Sequence, residues 1–362
     1  MSLGPHGKLT TEEARKLAII TLGDVLKGED PATDRATRRK SLTVAELCDR
    51  YLAAAERGLI MGKRKLPKKS STLISDRGRI VQHIKPLLGN KLVRDLTQAD
   101  VNRFIRDVTL GRTARVVKTE KKRGKSVVEG GAGTAARTAG LLGGILTFAV
   151  SEGVRPDNPA RGAKRQADGS RTRRLVPEEY RRLGKALKAA NEEGEPIQGL
   201  TGVWLLALTG CRLGEIIRLR FSEVDAAASC VRLADSKEGA SVRPVGDAVL
   251  GLIRASRKRT NSEFVLPAAR SDGCYGGMAR AFDRVMARAD LRDVTAHTLR
   301  HSYASVAGDI GFSDSTIEAL LGHAPRTVTS KYVHRLDDVL IAAANRVCRT
   351  IRGYMVGEGR KT

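Results

Sequence analysis

Thr209-Gly-Cys-Arg212-Leu-Gly-Glu215 follows an apolar run at residues 203–208 and heads an ordered series in the second half of the chain. Downstream come Lys237 in Ser-Lys-Glu-Gly, then His297-Thr-Leu-Arg300-His301, then Leu-Gly-His323, and nine residues later Tyr332 in Thr-Ser-Lys-Tyr-Val-His. The apolar run predicts a buried helix. Val176-Pro177-Glu178-Glu179 predicts another, with proline near its first turn. Val231-Arg-Leu and Val242-Arg-Pro-Val flank Lys237-Glu-Gly239 and predict a β-hairpin with the lysine at its turn. The remainder of this half reads as helical. The expected second domain is therefore mixed α+β, a small antiparallel sheet beside a helical body.

Upstream, Thr43-x-x-Glu46 is a capping pattern that opens a helix carrying Val44, Leu47, Tyr51 and Leu52 at helical spacing. Further helices are expected near 71–87, 97–108 and 134–151. With no convincing strand among them, residues 42–160 predict an all-helical domain. Arg155-Pro-Asp-Asn-Pro159 ends its last helix, and an Arg-, Lys- and Gly-rich stretch at 161–174 predicts an exposed linker. The second domain then spans 175–350, with a tail at 351–362. Before all of this, Thr10-x-x-Glu13 caps a helix running to about residue 27, which Gly28-Glu-Asp-Pro31 stops.

Lys and Arg number 65 against 40 Asp and Glu, a formal charge of +25 spread along all 362 residues. Solubility alone requires far less charge, so the surface is suited to a polyanion, nucleic acid first. Two basic runs in the helical half, Lys63-Arg64-Lys65 with Lys68-Lys69 and 118–125 with Lys121-Lys122-Arg123, are candidate phosphate contacts. No run of about 18 apolar residues predicts a membrane span, and no signal-peptide pattern is visible at the N-terminus. The expected location is the cytoplasm, in the nucleoid. The five cysteines include no Cys-x-x-Cys pair and read as small buried hydrophobes in a reducing compartment.

The series supplies two guanidiniums, an ammonium, imidazoles and a phenol, the groups that metal-free attack on a DNA phosphodiester requires. A phenol with a pKa near 10 is a poor nucleophile at neutral pH, so it needs a base and strong stabilisation of phosphorane charge. Guanidinium suits the second task, being planar, forked and permanently charged. Glu215, three residues after Arg212, shares a helical face with it and reads as a partner that fixes a side chain. Each residue has an ordinary reading too: salt bridges for the arginines, a helix cap for His323, packing for Tyr332. Four of the six histidines, however, fall between residues 297 and 334. His297 and His301 have the i, i+4 spacing of a zinc protease helix, yet Thr298 stands where that motif needs glutamate, and Arg300 would repel a cation. No metal site is expected, and the lack of a Gly-x-x-x-x-Gly-Lys-Ser/Thr loop implies no ATP.

In order and spacing these residues resemble the tyrosine recombinase (phage integrase) family over about residues 43–350. Glu13-Ala-Arg-Lys and Gly28-Glu-Asp-Pro look like the end of the arm-type DNA-binding domain of prophage and genomic-island integrases, making residues 1–41 a candidate remnant of one. The resemblance implies a core-DNA-binding domain followed by a catalytic domain, and site-specific recombination through a 3′-phosphotyrosyl intermediate at Tyr332. It further implies that Arg212, Arg300 and His323 contact the scissile phosphate, that Lys237 protonates the leaving 5′ oxygen, and that His297 assists proton movement. His301 is expected to be structural. Double-stranded DNA, a homotetramer on paired sites and DNA-bending accessory proteins are the implied partners, with no cofactor and no membrane. The apolar helix after Tyr332, at 339–344, is either a docking element for a neighbouring subunit or a final core helix. Rival readings are a type IB topoisomerase and a catalytically idle DNA-binding protein.

Overall fold

The computed structural model describes residues 7, 9–26, 41–62, 65–118, 120, 124–163, 173–236, 239–322 and 338–357. The chain forms two compact units, Met1–Ser170 and Arg171–Thr362. The division falls inside the segment expected to be a linker.

In the first unit, α1 (Thr11–Leu26) is capped by Thr10 and Glu13 as the sequence predicts, and none of its described residues is buried. Helix α2 (Val44–Glu56) starts at Thr43, whose Oγ1 accepts the Glu46 N–H at 3.2 Å while Glu46 Oε2 accepts the Thr43 N–H at 2.8 Å. Val44, Leu47, Cys48, Tyr51, Leu52 and Ala55 then line its buried face. Helix α3 (Ser70–Arg79) passes through a π turn (Ile80–Ile84) into α4 (Lys85–Leu88). Pro86 follows the wide turn: its ring and missing N–H oppose regular i−4 bonding, and the turn accommodates both. Helix α5 (Gln98–Thr109) is capped by Thr97 and Asp100. The central helix is α6 (Ala132–Ser151), with Ala135, Leu142, Ile145 and Leu146 in the core of the unit.

Three features differ from the sequence expectation. The basic stretch after residue 114 is not a plain loop: β1 (Arg115–Lys118) pairs antiparallel with β2 (Lys125–Val128), bringing Lys118 opposite Lys125. Valines 116, 117, 127 and 128 favour strands, but the hairpin is largely solvated on both faces, so it has no period-two apolar pattern to read. Secondly, α6 is long and apolar enough to cross a membrane by length and composition, where the sequence reading found no such run. Its packing in the core of the unit accounts for that apolarity. Thirdly, the linker does not extend to residue 174, because Arg173 is bound to Glu179 and Asp293, and Arg174 to Asp309.

The second unit is α+β. Helices α7 (Pro177–Glu192) and α8 (Ile197–Thr209) lead into the short α9 (Leu213–Ile217). A three-stranded antiparallel sheet follows, β3 (Val224–Asp225), β4 (Cys230–Ser236) and β5 (Gly239–Pro244), in the order β3-β4-β5. Then come α10 (Asp247–Arg257), α11 (Met278–Arg288), α12 (Ala296–Asp309), α13 (Asp314–Leu320) and α14 (Asp338–Val356). Helix α14 packs on α7, α8 and α12. It carries Ile351 and Met355 into the core, so the unit continues beyond residue 350 and the expected tail starts later. Ala343 and Ala344 are buried in the same core while Val339 is exposed, which favours the core-helix reading for the end of 339–344.

Asp100 provides a test of the first unit. Its carboxylate accepts Lys91 Nζ at 2.6 Å and the Thr97 N–H at 3.1 Å, and these bonds, that to Lys91 first, hold its pKa down at about 2. A pKa depressed in the folded state means stability that is present above the unfolded value of about 4 and lost as pH falls towards 2. Urea midpoints of the native chain and Asp100→Asn should differ most near neutrality and converge as pH falls from about 4 to about 2. A constant gap across that range would contradict the assignment.

Candidate active site

The site is assembled where α8, α9, β5, α12 and the end of α13 meet. Helix α8 terminates at Gly210, whose φ of +60° is left-handed. A Cβ there would stand 2.9 Å from Tyr303 Cδ1 and 3.0 Å from Leu321 Cδ2. Glycine is needed at this position for both its conformation and its lack of a side chain. The chain then turns through Cys211 into Arg212, the residue preceding α9. Glu215 closes the turn, its Oε2 accepting the Arg212 N–H at 2.7 Å and its Oε1 accepting Arg212 Nη1 at 3.0 Å. The predicted Arg212–Glu215 partnership is thus present, with Glu215 buried and Arg212 partly exposed.

Arg300 enters from α12, whose first turn is capped by Thr295. Only 4% of it is exposed. Its Nη1 donates to the Gly210 carbonyl at 2.7 Å and its Nη2 to the Leu321 carbonyl at 3.0 Å. Burial, followed by the nearby positive charges of Arg243 and Arg212, depresses its pKa to about 10. It remains a cation at neutral pH. His297 and His301, one turn apart on α12, are both exposed, with ring centroids 4.4 Å apart and planes at 78°. Among the described residues, no group of three His, Cys, Asp or Glu side chains is arranged to hold a metal ion.

Sequence reasoning missed Arg243. This residue lies on β5 opposite Val231, is 1% exposed, and is among the largest fully buried side chains. Its Nη2 donates to Glu215 Oε1 at 2.9 Å and its Nη1 to the Leu321 carbonyl, while its Nε has no hydrogen-bond partner among the described residues. Two residues earlier on the same strand face, Ser241 Oγ donates to the Gly322 carbonyl at 3.4 Å. Gly322, with φ +61°, has no room for a Cβ, which would meet Ser241 Oγ at 2.4 Å. Among the described residues Arg212 and Arg243 both pair with the Glu215 carboxylate, and the Arg300 guanidinium lies close enough to feel the charge of both, a cationic cluster that favours an anion. Burial raises the Cys211 thiol, and its N–H is bonded to Thr209 Oγ1, so Cys211 packs rather than reacts.

Lys237, His323 and Tyr332 lie outside the described residues, as do Lys63, Arg64, Lys121, Lys122 and Arg123 among the candidate phosphate contacts. Of the others, Lys65 and Lys69 are exposed. Lys68 is turned inward, its Nζ 2.6 Å from both Asp76 Oδ2 and the Tyr51 hydroxyl. That ion pair occupies the ammonium the sequence reading offered to phosphate.

The phage integrase family model matches residues 173–338, the stretch that contains the arginine cluster and the whole ordered series. The chain is a tyrosine recombinase of the phage integrase family. Such enzymes cleave and rejoin DNA at specific sites, and that is the activity of this recombinase. It is 25% identical over 223 residues to tyrosine recombinase XerC of Erythrobacter litoralis, covering 59% of this chain and 72% of that protein. A match of 28% identity to prophage integrase IntF of Escherichia coli K12 covers 36% of this chain and 29% of IntF. Among solved structures, a lambda integrase dimer bound to a COC′ core site aligns with 91% of this chain and 90% of its own, at TM-score 0.60 and 18% identity. The Tn1549 transposon integrase in complex with circular intermediate DNA aligns with 84% and 99%, at TM-score 0.56 and 17% identity. These two share the fold of the recombinase.

The close approach at Gly322 can be tested directly. Gly322→Ala should cost roughly 1–2 kcal/mol from its left-handed backbone alone, with a further loss from the clash at Ser241. Adding Ser241→Ala should restore only the second part. Denaturant midpoints of the single and double variants separate the two contributions, and an unchanged midpoint in Gly322→Ala would refute the packing described.

Proposed function

We propose that the recombinase exchanges strands between specific duplex sites through a covalent 3′-phosphotyrosyl intermediate at Tyr332, integrating or excising a mobile element. The observation that carries this reading is the nearness of two fixed guanidiniums: Arg300, held by the Gly210 and Leu321 carbonyls, and Arg212, held by Glu215, the more exposed of the two, whose charge helps to lower the pKa of Arg300. Arg212 and Arg300 bind the non-bridging oxygens of the scissile phosphate, and His323 adds a donor to the same oxygens. The Tyr332 oxygen forms a bond to phosphorus as the bond to the 5′ oxygen breaks; the electron pair leaves on that oxygen, which takes a proton from Lys237. His297 assists removal of the phenol proton. Glu215 holds Arg212, and His301 supports His297. Attack of a partner strand's 5′-hydroxyl on the phosphotyrosine reverses the step, so neither a nucleotide cofactor nor a metal ion is called for.

The DNA contacts of the first unit fall to Lys63, Arg64, Lys65 and Lys69, and to Lys121, Lys122 and Arg123 between the strands of the β1–β2 hairpin. A two-stranded ribbon fits the major groove. Lys118 opposite Lys125 is a repulsive pair in isolation, and a phosphate between them relieves it. The solved integrase structures include a lambda integrase tetramer bound to a Holliday junction. By analogy this recombinase works as a homotetramer on paired sites, with DNA-bending accessory proteins, on DNA in the cytoplasm. The relatives are recombinases and integrases, which disfavours the topoisomerase-like and idle readings.

Covalent trapping in chelator on nicked duplexes from the junctions of the element carrying this gene tests the chemistry. A denaturant-resistant adduct is expected from the native chain and none from Tyr332→Phe, with DNA affinity unchanged. Cleavage surviving in Tyr332→Phe would show that another group is the nucleophile. A loss of the adduct in chelator would show that a metal takes part. DNA binding should weaken steeply with salt, log K falling linearly with log salt concentration at about 0.9 per phosphate neutralised.

A further inference from the structure

We infer that Arg243 is a positioning residue for the phosphate-binding arginines, a buried clamp that joins Glu215 to the Leu321 carbonyl and so sets where Arg212 and Arg300 converge. This rests on the phosphotyrosyl reading above. At 1% exposure Arg243 cannot touch DNA. Its position opposite Val231 is one where a β-branched apolar side chain would fill the core at no cost in desolvation. A guanidinium there needs compensating partners, and the two it has among the described residues are both shared with an arginine of the site.

Glu215 Oε1 accepts from Arg212 Nη1 at 3.0 Å and from Arg243 Nη2 at 2.9 Å. With Arg243 in place, the carboxylate is anchored from below and presents one oxygen to Arg212. Without it, Glu215 keeps one guanidinium partner among the described residues, Arg212, and loses its bond to β5. The Leu321 carbonyl likewise accepts from both Arg243 and Arg300. Arg243 and Ser241, successive residues on one face of β5, together hold the Leu321 and Gly322 carbonyls, the last peptide groups before His323 in sequence. One side chain thus ties the sheet to both arginine mounts and to the start of the segment that contains His323 and Tyr332. The lowered pKa of Arg300, caused in part by Arg243, agrees with this proximity.

The test uses the full chain with Arg243→Met, similar in length and uncharged, and Arg243→Lys, which keeps the charge but reaches only one of the two acceptors. Three quantities are measured: adduct formation at saturating nicked duplex, DNA affinity, and thermal midpoint. A displacement of about 1 Å in groups that orient a reaction costs on the order of a hundredfold in rate. Arg243→Met should therefore form the adduct about a hundredfold more slowly with affinity within about threefold of native, and Arg243→Lys should recover about tenfold of that loss. If Arg243→Met does not fold, Arg243→Lys decides the matter by its rate at native thermal midpoint and affinity. A native rate in either variant overturns the inference. So does a parallel fall of rate, affinity and midpoint in which lysine is no better than methionine, since that describes a structural residue only. Absence of any adduct from the native chain would overturn the phosphotyrosyl reading itself, and this inference with it.

Discussion

The carbonyl oxygen of Leu321 is the point on which the catalytic unit turns. Two guanidiniums from different elements, Arg243 on β5 and Arg300 on α12, donate to that one atom, and Arg300 also holds the carbonyl that ends α8. The sheet, the end of α8, α12 and the end of α13 are thereby joined by buried hydrogen bonds between charged donors and backbone acceptors, the stronger kind. Such a network has a cost. Guanidiniums lose hydration on burial, and the hydrogen bonds of Arg243 and Arg300 offset part of that loss. In the function proposed above, a phosphate beside Arg212 supplies further compensation, which is the general logic of a preorganised electrostatic site.

Much of this was legible in the sequence for a physical reason. Arg212 and Arg300 lie in short motifs whose spacing is set by local geometry: Glu215 returns to the backbone of Arg212 across one helical turn, and Gly210 ends a helix with a conformation few residues adopt. Arg243 was not legible. Alternation along a strand shows that either Val242 or Arg243 faces the core, and hydrophobicity selects the wrong one. Only the partners across the fold, 28 and 78 residues away, explain the choice. Arg173 and Arg174 were hidden in the same way, since Asp293 and Asp309 lie 120 and 135 residues further on. They look like the last residues of a loop and are in fact the first fastening of the catalytic unit.

The first unit shows the complementary failure. Capped helices with a single apolar stripe, such as α2 and α5, announce themselves by composition and period, and their observed starts agree with their capping residues. The β1–β2 hairpin does not, because its strands bury almost nothing and so need no pattern. Charge dominated its composition, and charge identifies surface without identifying backbone conformation.

Helix α14 has a consequence for how the enzyme comes into being. Its residues Ala343, Val347, Cys348, Ile351 and Met355 complete the core against α7, α8 and α12, although they lie beyond the matched family domain and beyond every residue assigned a chemical role. A nascent chain emerges from its N-terminus, so the arginine mounts are synthesised well before the helix that seals the hydrophobic interior behind them. An unfinished polypeptide thus contains Arg212, Arg243 and Arg300 without the packing that completes the core behind them. The core of the second unit can close only after translation has passed Met355.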